Sequence, residues 1–164
     1  MKTAIYPGTF DPITYGHLDI IARASRLFSK IVITVASNPS KAPLFTAEER
    51  VSLIKQSISK IKYESTLEVE TFDGLIVKFA KKKNASAIIR GLRAISDFEF
   101  EFQMALMNRR LLQEITTVFL MPHENYTYLN SSIVKEVASL GGDISNFVPL
   151  EVEKELQSKF STNK

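Results

Sequence analysis

Cysteine is missing from all 164 residues. A disulfide framework, a zinc-thiolate site and a cysteine nucleophile are therefore excluded, and a reducing cytoplasm is the expected compartment. Long apolar runs are missing as well, so no segment reads as a membrane-spanning helix. Met1 to Gly8 carry one basic side chain, no extended apolar stretch and no small-residue cleavage site, so neither a signal peptide nor a membrane partner is expected. Histidine is scarce, with only His17 and His123. No G-x-x-x-x-G-K-[ST] run occurs, which sets aside a Walker-type kinase. Carboxylates are not spaced as an all-protein cage for a divalent cation. Internal repeats, low-complexity segments and linkers are absent too, and one domain over 1–164 is expected, large enough to bury a core without metals or disulfides.

The formal net charge is +3, and the basic residues are dispersed apart from Lys81-Lys82-Lys83 and Arg109-Arg110. The lysine run reads as a solvated helix end, with cations at the negative pole of the dipole. No aromatic-basic interleaving accompanies it, so a nucleic-acid partner is not expected.

Short β-branched runs alternate with longer helical stretches. Thr3–Tyr6, Ile31–Val35, Leu67–Thr71, Ala87–Ile89 and Thr116–Met121 read as strands. Between them, Gly16–Phe28, Ala47–Ser59, Leu75–Lys82 and Asp97–Gln113 read as helices, the second opened by a Thr46/Glu49 capping box. Ser131 or Ser132 is expected to cap a helix that stops at Gly141-Gly142, and Pro149 to start a last helix with a fraying polar tail. This alternation predicts an α/β, Rossmann-like, doubly wound, parallel five-stranded sheet with helices on both faces. Ligands of such sheets bind at the carboxyl ends of the strands, so residues that do chemistry should follow strands.

Four segments meet that demand. The first strand runs into Tyr6-Pro7-Gly8-Thr9-Phe10-Asp11-Pro12-Ile13-Thr14-Tyr15-Gly16-His17, a loop that opens a helix. Glycines allow close backbone approach to a phosphate, and a helix N-terminus offers free amides to an anion. The second strand is followed by Lys41 between two prolines, the fourth by Arg90-Gly91-Leu92-Arg93, and the fifth by Asn130-Ser131-Ser132. Singly, Lys41 reads as an ordinary loop lysine, Arg90 and Arg93 as partners of Asp97, Glu99 or Glu101, and His17 as a packing residue. Together they place three cations, a histidine and several hydroxyls at one sheet edge with no obvious general base, the composition of a polyphosphate site.

Thr14-Tyr15-Gly16-His17 resembles the T-x-G-H form of the (H/T)-x-G-H signature of nucleotidyltransferases. The longer run from Tyr6, with the loops carrying Lys41, Arg90–Arg93 and Asn130–Ser132, resembles the bacterial phosphopantetheine adenylyltransferase family from Thr3 to about Pro149. Tyr15, Phe100, Tyr126 and Asn130 stand where that family commonly has asparagine, tyrosine, tryptophan and serine. The resemblance implies an enzyme that transfers AMP reversibly from ATP to 4'-phosphopantetheine, giving dephospho-coenzyme A and pyrophosphate, by in-line attack of one phosphate on another. It assigns the acceptor to Thr9, Lys41, Ile76 and Arg90, and a donor on the α-phosphate to His17 as the catalytic residue. ATP would be held by Thr9, Phe10, His17, Gly91, Leu92, Arg93, Glu101, Tyr126, Thr127, Tyr128, Leu129, Asn130, Ser131 and Ser132. It further implies Mg2+ carried with the ATP phosphates, a homohexamer, and feedback by coenzyme A. His123 reads as a loop residue near the site without a role.

Overall fold

The computed structural model describes residues 2–37, 42–93 and 95–161, without the side chains of 95 and 96. Five parallel strands, β1 (Thr3–Gly8), β2 (Lys30–Ala36), β3 (Thr66–Phe72), β4 (Ala87–Gly91) and β5 (Thr116–Leu120), form one sheet in the order β3-β2-β1-β4-β5. The helices are α1 (Tyr15–Ser25), α2 (Ala47–Ser59), α3 (Ile76–Lys82), α4 (Ile95–Leu111), α5 (Ser131–Ser139) and α6 (Leu150–Ser161), with a short 3-10 turn at Glu124–Tyr126. This is the Rossmann-like, doubly wound arrangement read from the sequence.

The alternation of side chains along the central strands builds two cores. Ala4, Tyr6, Ile31, Ile33, Val35, Ala87 and Ile89 face one side, where they pack with α1, α2, α5 and α6. Ile5, Val32 and Ile88 face the other and meet Val77 and Ala80 of α3, with Ile115. Both faces being covered, these strands read as continuous apolar runs. Ion pairs between Lys159 and Glu49 (2.8 Å) and between Lys60 and Glu151 (2.5 Å) fix α6 to α2.

Several boundaries differ from the sequence reading. α1 stops at Ser25, not Phe28, because Arg26, Leu27 and Phe28 turn back onto carbonyls 23 and 24 and Ser29 must reach Lys2 beside β1. α4 ends two residues early, since Ile115 is drawn into the smaller core before β5. α5 is capped by Asn130, not by Ser131 or Ser132: the Asn130 side chain accepts from the Ile133 amide at 2.9 Å, which frees the Ser131 hydroxyl to donate to the Pro12 carbonyl at 2.8 Å. The α5 stop falls where expected, with Gly141 in the left-handed region at φ 78°. Of the lysine run, Lys81 and Lys82 are exposed at the end of α3, whereas Lys83 pairs with Glu70 on β3. No described helix is long and apolar enough to cross a membrane.

Candidate active site

The chain reverses its winding between β1 and β4, the topological switch point at which such sheets bind ligands. Pairing between these strands stops at Ala4↔Ala87 and Ile5↔Ile88, although β1 continues to Gly8 and β4 to Gly91. Their carboxyl ends therefore diverge, and Arg90 bridges the gap by donating from Nη1 to the Pro7 carbonyl at 3.2 Å.

The loop after β1 is held from several sides. Phe10, at φ 50°, occupies a conformation that costs a non-glycine residue. The gain is burial: its ring lies edge-on to Tyr6 at 5.3 Å and to His17 at 5.0 Å. Gly8 makes room for it, since a β-carbon there would come within 2.9 Å of the Phe10 ring. Asp11, 3 % exposed, accepts from the Leu44 and Phe45 amides, both at 2.9 Å, and from Lys135 Nζ at 2.6 Å. Arg50 is as deeply buried and has four carbonyls for partners: Thr9 at 2.7 Å, Ala36 and Phe45 both at 3.1 Å, and Thr46 at 3.3 Å.

His17 sits at the third position of α1, where a capping box usually has glutamate or glutamine. Its Nδ1 accepts from the Thr14 amide at 3.0 Å while its own amide donates to Thr14 Oγ1 at 3.4 Å. That bond assigns the proton of the neutral ring to Nε2. Burial, then the charge of Arg93, pushes the imidazole pKa down to about 4. At neutral pH His17 is thus an uncharged N–H donor on the cavity wall.

Arg90 donates from Nε to Glu101 at 2.7 Å and from Nη2 to the other carboxylate oxygen. Burial opposes its charge, but the bound carboxylate outweighs this and raises the pKa, so the guanidinium stays charged. With one N–H on Pro7 as well, two of its five donors remain for a ligand. Arg93 lies 3.5 Å from Asp97 and donates to the Leu129 carbonyl at 3.2 Å, tying the β4 loop to the start of α5.

These groups enclose a cavity of about 550 Å³, and a second of about 220 Å³ adjoins it across Thr9, Arg90 and Glu101. On the larger wall stand Thr9, Phe10, His17, Arg90, Gly91, Arg93, Glu101 and Leu129 through Ser132. Ile76 lies on the smaller. Leu92, Tyr126, Thr127 and Tyr128 are off both walls: the Leu92 amide bonds to Leu120, Tyr126 backs onto Gly16, the Thr127 hydroxyl bonds to Glu124, and Tyr128 packs edge-on to Phe147. Lys41 lies outside the described residues. His123 caps the 3-10 turn beside the site, its ring nitrogen accepting from the Asn125 amide at 3.3 Å.

Asp11, Arg50, Lys135 and Asn108 have no assignment from the sequence. Arg50 did leave a signal, because it falls on the same stripe of α2 as Leu53, Ile54 and Ser57, where a charge is out of place unless it has partners. Asn108, buried on α4, contributes to the wall of the smaller cavity with Met104 and Ala105, one face of that helix. Among the described residues no three His, Asp or Glu side chains converge as metal ligands.

A cation-lined crevice with a neutral donor at a switch point suits nucleotidyl transfer, and residues 5–137 match the cytidylyltransferase-like family model. A protein of Plasmodium falciparum described as nicotinic acid mononucleotide adenylyltransferase complexed with NaAD superposes with a TM-score of 0.72 at 16% identity, over 98% of this chain and 97% of that one, a likeness of fold. Much nearer in sequence are proteins named phosphopantetheine adenylyltransferase. That of Thermodesulfovibrio yellowstonii is 56% identical, covering 97% of this chain and 98% of its own. That of Heliobacterium modesticaldum is 52% identical, covering 98% and 94%. The chain belongs to the phosphopantetheine adenylyltransferase family.

Proposed function

We propose that the protein transfers AMP from ATP to 4'-phosphopantetheine, giving dephospho-coenzyme A and pyrophosphate, a step of coenzyme A biosynthesis. The observation that carries this reading is the pair of joined cavities sharing Thr9, Arg90 and Glu101. The larger has the helix start, Arg93 and His17 for a nucleotide. The smaller is lined by Ile76, Phe72 and Met104 for an extended, mostly apolar arm, and Arg90 sits at the junction where the two phosphates must meet.

The attacking phosphate is already anionic, so no base is needed to create the nucleophile. The work is to bring two like charges together and to stabilise charge as it develops. Arg90, kept charged by Glu101, orients the acceptor phosphate, a role that the family resemblance gives to Lys41 as well. His17 Nε2–H donates to the α-phosphate, and the Ser131 and Ser132 amides at the α5 N-terminus face the remaining phosphates. Mg2+ would be carried by the ATP phosphates and would neutralise part of their charge, since no carboxylate cage forms among the described residues.

Helix α4 supports self-association. Phe98, Phe100, Phe102, Met104, Leu106, Met107 and Leu111 are each 40–63 % exposed on it, more apolar surface than a lone subunit usually shows. We read the assembly as a homohexamer of one-domain subunits in the cytoplasm, and coenzyme A, which carries both a pantetheine arm and an adenine nucleotide, as an inhibitor that competes for both cavities. The activity is tested by incubating the protein with ATP, magnesium and either 4'-phosphopantetheine or nicotinamide mononucleotide, and reading pyrophosphate release. Release with the first acceptor alone is the expected result; release with the second alone would overturn the substrate assignment.

A further inference from the structure

Tyr6 has no part in the reading above, yet its side chain is placed as a ligand-binding group would be. It stands on β1, 5 % exposed, on the wall of the larger cavity and not of the smaller. Its hydroxyl lies 3.7 Å from where a β-carbon on Gly91 would sit, at the divergence of β1 and β4. No side-chain hydrogen bond among the described residues engages that oxygen, and it is not sealed off, since the buried side-chain oxygens without a partner among the described residues are those of Tyr63 and Glu151. Phenylalanine would keep the edge-on contact with Phe10, so the hydroxyl adds nothing to that packing and stands open to the cavity. Packing alone therefore does not account for a tyrosine here.

The surroundings say what the oxygen meets. Burial pushes the phenol pKa well above its ordinary value, with Arg90 and Arg93 pulling against it, so the group keeps its proton and offers an O–H donor. A donor in the field of Arg90 and Arg93, which line the same cavity, suits an anionic oxygen, and the larger cavity is the nucleotide side. We infer that the Tyr6 hydroxyl donates a hydrogen bond to a phosphate oxygen of the nucleotide bound in the larger cavity, an inference that rests on the function proposed above.

Tyr6→Phe tests it, with Tyr63→Phe as the control, since the Tyr63 hydroxyl is buried without a partner and borders neither cavity. Calorimetric titration with MgATP and with 4'-phosphopantetheine, and melting temperature, are measured for wild type and both variants. In Tyr6→Phe the expected result is an unchanged melting temperature, ATP affinity weakened about tenfold or more, and 4'-phosphopantetheine affinity within about twofold. Tyr63→Phe should raise the melting temperature and leave both affinities unchanged. ATP affinity within about twofold in folded Tyr6→Phe, a lowered melting temperature, or a loss that also falls on 4'-phosphopantetheine would overturn the inference. A wild-type protein that binds no ATP would instead remove the proposed function, and the inference with it.

Discussion

His17 owes its donor role to its own helix cap. The Thr14 amide occupies Nδ1, so Nε2 must carry the proton, and the low pKa keeps the ring neutral through the physiological range. Loss of one preorganised donor costs about 3 to 4 kcal/mol of transition-state stabilisation, or roughly a hundred- to a thousandfold in rate. His17→Ala should therefore lower kcat by that factor with substrate affinities little changed, whereas a folded variant within about threefold of wild type would remove His17 from the chemistry. A second expectation concerns stability. The folded-state pKa is about 4 against an ordinary 6.5, so between those values the unfolded chain binds the proton and the folded chain does not. The contribution of neutral His17 is complete above about pH 6.5 and is lost as pH falls through about 4, an effect on the order of 3 kcal/mol. His17→Gln keeps a capping-box residue without the titration. Melting curves at pH 7 and pH 4.5 should show wild type losing more stability than His17→Gln, and equal losses would contradict the assigned protonation state.

At the scale of elements, the site is held by a clasp of main-chain contacts. Asp11 and Arg50 join the end of β1, the end of β2, the segment 44–46 and, through Lys135, α5. Asp11→Ala would leave the Leu44 and Phe45 amides and Lys135 without their acceptor, and a loss of about 3 kcal/mol in chemical denaturation is expected. A loss under about 1 kcal/mol would show that water replaces the carboxylate and that the clasp does not hold.

The strands and the loops after them were legible in the sequence because glycine, proline and β-branched runs act locally. So was the Thr46/Glu49 cap of α2, whose partners are three residues apart. The clasp was not: the partners of Arg50 are carbonyls, which carry no side-chain identity, and Thr9 is 41 positions away. The α5 cap was misread because Asn130, Ser131 and Ser132 are all good capping residues, and only the approach of Pro12 decides among them. Tyr6 closes the first strand and opens the run that follows it, and nothing local reveals that its hydroxyl has no protein partner.

For the whole molecule, the sheet brings β1, β4 and the starts of α1 and α5 to one edge and leaves α4 presenting apolar side chains outward. If that surface joins copies of the chain, light scattering at micromolar concentration will give a mass several times the 18.5 kDa of one subunit, and a mass near 18.5 kDa would refute the assembly. The central claim is that the cavities hold two phosphates for direct transfer, with none of the hydroxyls of Thr9, Thr14, Ser131 and Ser132 on the cavity wall acting as a nucleophile. Turnover of ATP carrying a chiral thio-substituted α-phosphate, with 4'-phosphopantetheine as acceptor, tests this most directly through the configuration at phosphorus in the product. A single in-line displacement predicts inversion; retention would mean a covalent nucleotidyl intermediate on the protein and would contradict the account.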